Sequence, residues 1–243
     1  MDIEKYITLA SYLSSLGFLI GTILMTIVVH RFGKSTLGAI FSYILVGTGV
    51  FVFISIFLGL GSAGFNISDE SVDIWWHILF YMGFIFYFFG LKLLASLGSA
   101  DSDPNQTISQ YGAKIWGVIG LFIIAFVFIA PPFSENVINI YTSSKLNSIG
   151  LHHLIAFALA GTVASYLLSV KRNLGQIGHA IANPIILAVS SLSLQHLWEL
   201  LNESLKVINV GSNIGEGVEK IFLIVASLAI IWASLRLMKF TRV

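Results

Sequence analysis

The 243-residue chain has no cysteine, which excludes disulfide bridges, thiolate metal sites, iron–sulfur clusters and cysteine nucleophiles together. Charge is almost as scarce: 10% of residues are Asp, Glu, Lys or Arg, against about 25% in an average soluble domain. The basic residues form no run longer than the pair Lys171 and Arg172, and the net charge is +1. No electrostatic footprint for nucleic acid exists, so no nucleic-acid partner is expected. The alternating ten-residue strands of a membrane barrel are missing too. The first residues, MDIEKYITLASYLSS, are acidic before their apolar run, unlike the basic start of a secretory signal peptide; they are expected to form a retained first span.

What remains is apolar. Hydrophobic residues make up 56% of the chain and the mean hydropathy is +0.90. Seven stretches are long enough to cross a hydrocarbon core of about 30 Å, which takes roughly 20 helical residues. They lie near 6–29, 37–60, 73–97, 112–130, 149–170, 182–205 and 217–238. Backbone groups go unpaired in lipid at high cost, so these stretches are expected to be helices. The connecting segments, such as HRFGKS and KRNLGQIGH, are short and rich in turn-forming residues, leaving no separate soluble domain. The expected fold is therefore all-α: a polytopic membrane protein with one seven-transmembrane-helix domain over residues 1–243, and the lipid bilayer as its first partner. No internal repeat is visible, which argues against a duplicated transporter.

Basic residues set the expected orientation. Arg31, Lys34, Lys92, Lys114, Lys171, Arg172, Arg236, Lys239 and Arg242 fall on one side if seven spans alternate, and that side is cytoplasmic by the positive-inside rule. The amino terminus is then outside and the carboxyl terminus cytoplasmic, in a cell membrane. Trp75, Trp76 and Trp198 mark the outer interface, and Trp116 and Trp232 the inner one.

Within this topology the ionisable residues gather in the outer half. The stretch SLQHLWELLNES carries His196, Glu199 and Glu203 at i, i+3 and i+7, on one helical face of an otherwise lipid-spanning segment. His77 lies about one turn into the third span, with Asp73 and Tyr81 on its face, and His152 and His153 lie about one turn into the fifth. Those two neighbours point about 100° apart, so only one is expected to face a shared centre. Glu219 opens the seventh span, three residues after Glu216. A charged residue near the bilayer centre costs at least ~2.5 kcal/mol, so such groups face the bundle interior or water.

Imidazole with carboxylate is a donor set for zinc, iron, manganese or copper(II). The expected metal ligands are His77, His153, His196, Glu199 and Glu219, with Glu219 either a ligand or an orienting group behind them. A shared mononuclear centre requires the three rings within roughly 10 Å of one another. Asp73, Tyr81, Ser190, Ser191 and Ser193 are candidates to position a substrate. A plainer reading makes the same residues a polar helix-packing network, with Lys220 neutralising Glu216 or Glu203.

Function divides into metal-dependent chemistry or metal sensing, a single haem b between two outer histidines, a proton- or ion-coupled carrier, and a non-enzymatic accessory or sensor subunit. For haem, Phe80, Phe84, Phe86, Phe88 and Phe89 would line the macrocycle. Gly17 with Gly21 and Gly117 with Gly120 favour close helix contact, consistent with a homo-oligomer or a membrane partner subunit. Seven spans with an outer amino terminus resemble rhodopsins and the seven-span hydrolases related to alkaline ceramidases and progestin and adipoQ receptors. The last span, with FLIVASLAIIWASL at its middle, has neither a Schiff-base lysine there nor the paired H-x-x-x-H of those hydrolases.

Overall fold

The computed structural model describes residues 3–62, 69–96, 150–171, 175–208 and 210–240. They form α1 (Ile3–Phe32), α2 (Thr36–Ser62), α3 (Asp69–Ser96), α4 (Leu151–Val170), α5 (Gly175–Glu199) and α6 (Ser212–Phe240), with a single π turn, Leu200–Ser204, continuing α5. All six helices are long and apolar enough to cross a membrane, and no strand occurs among the described residues. The expected span at 112–130 lies outside the described residues, as do Gly117 and Gly120.

Local sequence explains several boundaries. Gly33 ends α1 with φ +58°, a left-handed conformation that costs glycine little, and its N–H bonds the carbonyl of Val29 at 3.0 Å. Two residues later Ser35 caps α2, its Oγ accepting from the N–H of Gly38 at 3.1 Å. The loop HRFGKS is thus a stop signal followed by a start signal.

The start of α5 departs from expectation. Hydropathy places it at residue 182, whereas the helix begins at Gly175, inside the segment expected to be loop. Hydropathy marks where the apolar layer begins; backbone hydrogen bonding carries the helix about two turns beyond it. Within this helix Pro184 lacks an N–H and leaves the carbonyl of Ala180 without its usual partner. The Arg236 guanidinium donates to that carbonyl at 3.5 Å while lying 4.8 Å over the Trp232 ring.

The helices close a ring: α1 packs on α2, α2 on α3, α3 on α4, α4 on α5, α5 on α6, and α6 on α1. Most neighbours are antiparallel, but two pairs are parallel. His77 meets His153 near the starts of α3 and α4, and Phe88 meets Tyr166 farther along both. Gly17 and Gly21 of α1 face Ser227 and Ile230 of α6 in the same order. The starts of α1, α3, α4 and α6 therefore share one end of the bundle with the end of α5, called here the site end. Ser96 and Leu151 stand at opposite ends.

Lipid gives apolar helices no hydrophobic reason to associate, so close packing must hold them. A Cβ on Gly17 would lie 2.8 Å from Cβ of Ser227, and one on Gly21 2.8 Å from Cγ2 of Ile230. These glycines let α1 reach α6 within the chain, where the sequence alone suggested contact with another subunit. Between α1, α2 and α3 an aromatic core forms around Phe51, whose ring lies 5.4 Å from Phe18, 5.0 Å from Phe80, 6.0 Å from Phe84 and 5.9 Å from Tyr87. The buried Tyr87 hydroxyl is satisfied by Thr48 at 3.0 Å.

Candidate metal centre

Three helices place four side chains at the site end. His77 sits two turns into α3, just after Trp76, whose ring packs 4.8 Å from Phe80. His153 belongs to the first turn of α4, which starts from Gly150 at φ +65°. A side chain at Gly150 would strike Ser204 and Leu200, so glycine there lets the start of α4 press against the π turn. His196 and Glu199 face inward from the last regular turn of α5. All four residues are buried.

Their polar atoms meet closely. His77 Nε2 is 3.1 Å from His153 Nδ1, His153 Nδ1 is 3.1 Å from Glu199 Oε2, and His196 Nδ1 is 2.7 Å from the same Oε2. Taking one ligand atom from each residue, all lie within 4.8 Å of one another. A tetrahedral ion with bonds of about 2.0–2.1 Å has ligand–ligand edges of about 3.3–3.4 Å; the two 3.1 Å separations fall near this, while the 2.7 Å pair is tighter and the widest pair, at up to 4.8 Å, is looser. The ring centroids of His77, His153 and His196 are 4.9, 5.3 and 6.2 Å apart, inside the limit for one centre.

Hydrogen bonding by itself leaves this group incomplete. His153 Nδ1 stands equally near a nitrogen of His77 and an oxygen of Glu199, yet one neutral imidazole nitrogen either donates a proton or offers a lone pair. His196 Nε2 is buried with no hydrogen-bond partner among the described residues. Buried polar atoms are rarely left so, and whichever ring nitrogen of His196 met a cation, the other would stay in this apolar setting. The second oxygen of Glu199, Oε1, accepts from Gln195 Nε2 at 2.9 Å.

The other expected residues take different places. Glu219 is buried on α6 and feels the charges of Glu199, Glu203, Lys220 and Glu216, but it lies outside the four-residue group, and its Oε1 has no partner among the described residues. Glu203 falls in the π turn, where the Leu205 N–H bonds the carbonyl of Leu200 at 2.9 Å. Its side chain is 53% exposed, with Oε2 4.0 Å from His153 Nε2, so it stands at the edge of the group rather than within it. Of the adjacent histidines, His153 enters the group, while the His152 ring packs against those of His77 and His153.

Three of the five residues expected to position a substrate tie one helix to another. Tyr81 donates to the carbonyl of His152 at 2.9 Å, Ser191 to that of Phe222 at 3.0 Å and Ser193 to that of Phe157 at 3.1 Å. Hydroxyls that tie one helix to another are common inside membrane bundles, where a polar group must find a partner. The side chain of Asp73 lies outside the described residues. Trp198, expected at the interface, bonds the carbonyl of Gly215 at 3.2 Å and so joins the ends of α5 and α6.

As placed, His77 and His153 stand too close to be the two axial ligands of one haem. Two axial nitrogens on opposite sides of one iron need about 4 Å between them and a flat slot for the macrocycle. His77 and His153 approach to 3.1 Å, and the Glu199 carboxylate stands between His153 and His196. Phe80, Phe84 and Phe86 are buried in the helix core. Two residues support the group in ways the sequence did not specify: Gln195 donates to Glu199 from four residues before it, and Phe80, expected beside a macrocycle, meets the His196 ring edge-on at 4.5 Å. Comparison of the chain with known protein families, curated proteins and solved structures finds no match.

Proposed function

We propose that this protein holds one transition-metal ion between α3, α4 and α5 and responds to that metal. The supporting observation is the convergence of three imidazoles and one carboxylate, all buried, with ligand atoms within 4.8 Å of one another. His77, His153, His196 and Glu199 are the ligands in this reading, and Glu219 adds negative charge beside them that favours a cation. Four protein donors would fill the coordination of zinc, whereas a catalytic zinc keeps a position for water. The donor set therefore favours sensing or structural use of the ion over hydrolysis. Because the ligands come from three helices, binding would fasten them together, and loss of metal would release them.

The membrane setting belongs to the same proposal. Arg31, Lys34, Lys92, Lys171, Arg236 and Lys239 lie toward the end opposite the site, while all carboxylate residues of the described segments lie toward the site end. By the positive-inside rule the site faces the extracytoplasmic side of a cell membrane. The parallel run of α3 and α4 supports a further crossing between them, for which the apolar stretch at 112–130 is the candidate, giving seven spans in all.

Metal analysis of protein purified in mild detergent tests this reading. One zinc ion per chain is expected, with His196→Ala weakening binding about 10²–10³-fold, roughly a quarter of the free energy of a four-ligand zinc site. Absence of bound metal after equilibration with micromolar zinc, iron, manganese and copper would overturn it.

A further inference from the structure

We infer that Gln195 sets the coordination number of the proposed centre and through it the choice of metal. The inference rests on the metal reading above and concerns a residue outside the donor set. A carboxylate can bind an ion through one oxygen or through both. Glu199 turns Oε2 toward His153 and His196, while its Oε1 is held by the Gln195 amide at 2.9 Å. An ionised carboxylate only accepts hydrogen bonds, so the amide must present its N–H to it, which fixes the orientation of the Gln195 side chain.

The cost of this arrangement shows what the glutamine is for. Gln195 is 1% exposed, and its own Oε1 has no hydrogen-bond partner among the described residues. A leucine or methionine would fill that space without burying an unmatched oxygen, so packing alone does not account for glutamine. Its amide instead competes for Oε1, the oxygen through which Glu199 would close a second bond to the ion, and holds that oxygen toward itself. Three imidazole nitrogens and one oxygen then remain, a four-coordinate set suited to zinc and cobalt(II). Manganese, which takes more oxygen donors in an octahedral field, is disfavoured. The spacing assists: Gln195 and Glu199 are neighbours at i and i+4 on α5, so the helix fixes the pair before tertiary contacts form.

Cobalt(II) is the probe, because four-coordinate cobalt absorbs visible light far more strongly than five- or six-coordinate cobalt. The full-length protein in detergent is titrated with cobalt(II), and zinc and manganese affinities are measured by competition. Gln195→Met, close in length but without the N–H donors, is compared with Ser191→Ala, which removes another buried polar group of α5 away from the centre. The wild type and Ser191→Ala are expected to give the intense four-coordinate spectrum. Gln195→Met should bind cobalt with at least a twofold weaker band and a zinc-to-manganese affinity ratio lowered about tenfold, in the range typical of losing a group that orients a ligand. If Gln195→Met loses helicity by circular dichroism, Gln195→Leu takes its place. No cobalt binding by the wild type overturns the metal reading itself. Cobalt binding with the same spectrum and selectivity in wild type and Gln195 variant leaves that reading intact and overturns the role of Gln195, as does a wild-type spectrum of higher coordination.

Discussion

On α3, His77 and Phe80 are one helical turn apart, yet they belong to layers held together in different ways. Around His77 the contacts are few, polar and directional, made by side chains from three helices, with His196 Nε2 left unpartnered among the described residues. Around Phe80 the contacts are many and apolar, made by rings that interlock between α1, α2 and α3 at centroid distances of 5.0 to 6.0 Å. In lipid the second kind supplies cohesion, since shape complementarity and dispersion act between helices whatever the solvent. The first kind supplies specificity, because an unpaired polar group there is costly and only one arrangement satisfies it. Phe80 touches both, packing on Phe51 and edge-on against His196.

This contrast can be broken from either side. The largest effect should come from acid on the polar layer alone. Protons compete with metal for the imidazole lone pairs, so affinity is greater at higher pH and is lost as pH falls. Lowering pH from about 7.5 to about 5.5 should weaken zinc binding by up to about 10³-fold for three competing imidazoles, with helicity unchanged. Isothermal titration in detergent at the two pH values reads this directly, and a pH-independent affinity would contradict histidine ligation.

A smaller effect should come from the aromatic layer. Phe51→Ala leaves a cavity among four rings and should cost about 3 kcal/mol, lowering the thermal transition while zinc stoichiometry stays at one per chain. Loss of metal along with stability would mean that the two layers are not separable. The smallest effect is expected at the seam farthest from the donors: Gly17→Ala pushes a methyl group into Ser227 and should cost about 1–2 kcal/mol, and Ser227→Gly in the same chain should recover most of it. A double mutant no more stable than Gly17→Ala would place the strain elsewhere.

Much of this was legible from residue order, because the signals involved are local. Apolar runs of about 20 residues mark spans, and six of the seven expected coincide with helices among the described residues. The pair His196 and Glu199 was readable as one helical face because α-helix geometry alone brings i and i+3 together. Extending that face to Glu203 at i+7 assumes a regular helix, whereas the π turn at Leu200–Ser204 changes the phase just before it and leaves Glu203 half exposed. Ser191 and Ser193, polar and one turn from His196, looked like site residues, yet a hydroxyl's partner depends on which helix lies alongside, here α6 for one and α4 for the other.

The sequence by itself determined that the chain carries helices long and apolar enough to cross a membrane, that it lacks thiol chemistry, and that histidines and carboxylates interrupt those apolar runs, because composition and helical periodicity are properties of neighbouring residues. Tertiary structure alone decided that His77, His153 and the α5 pair bring ligand atoms within 4.8 Å of one another while Glu219 stands outside the four. Those distances depend on how α3, α4 and α5 are rotated and shifted against each other. Helix rotation is set by close packing at points such as Gly150 against Ser204, summed over the whole ring, and no single span carries that information.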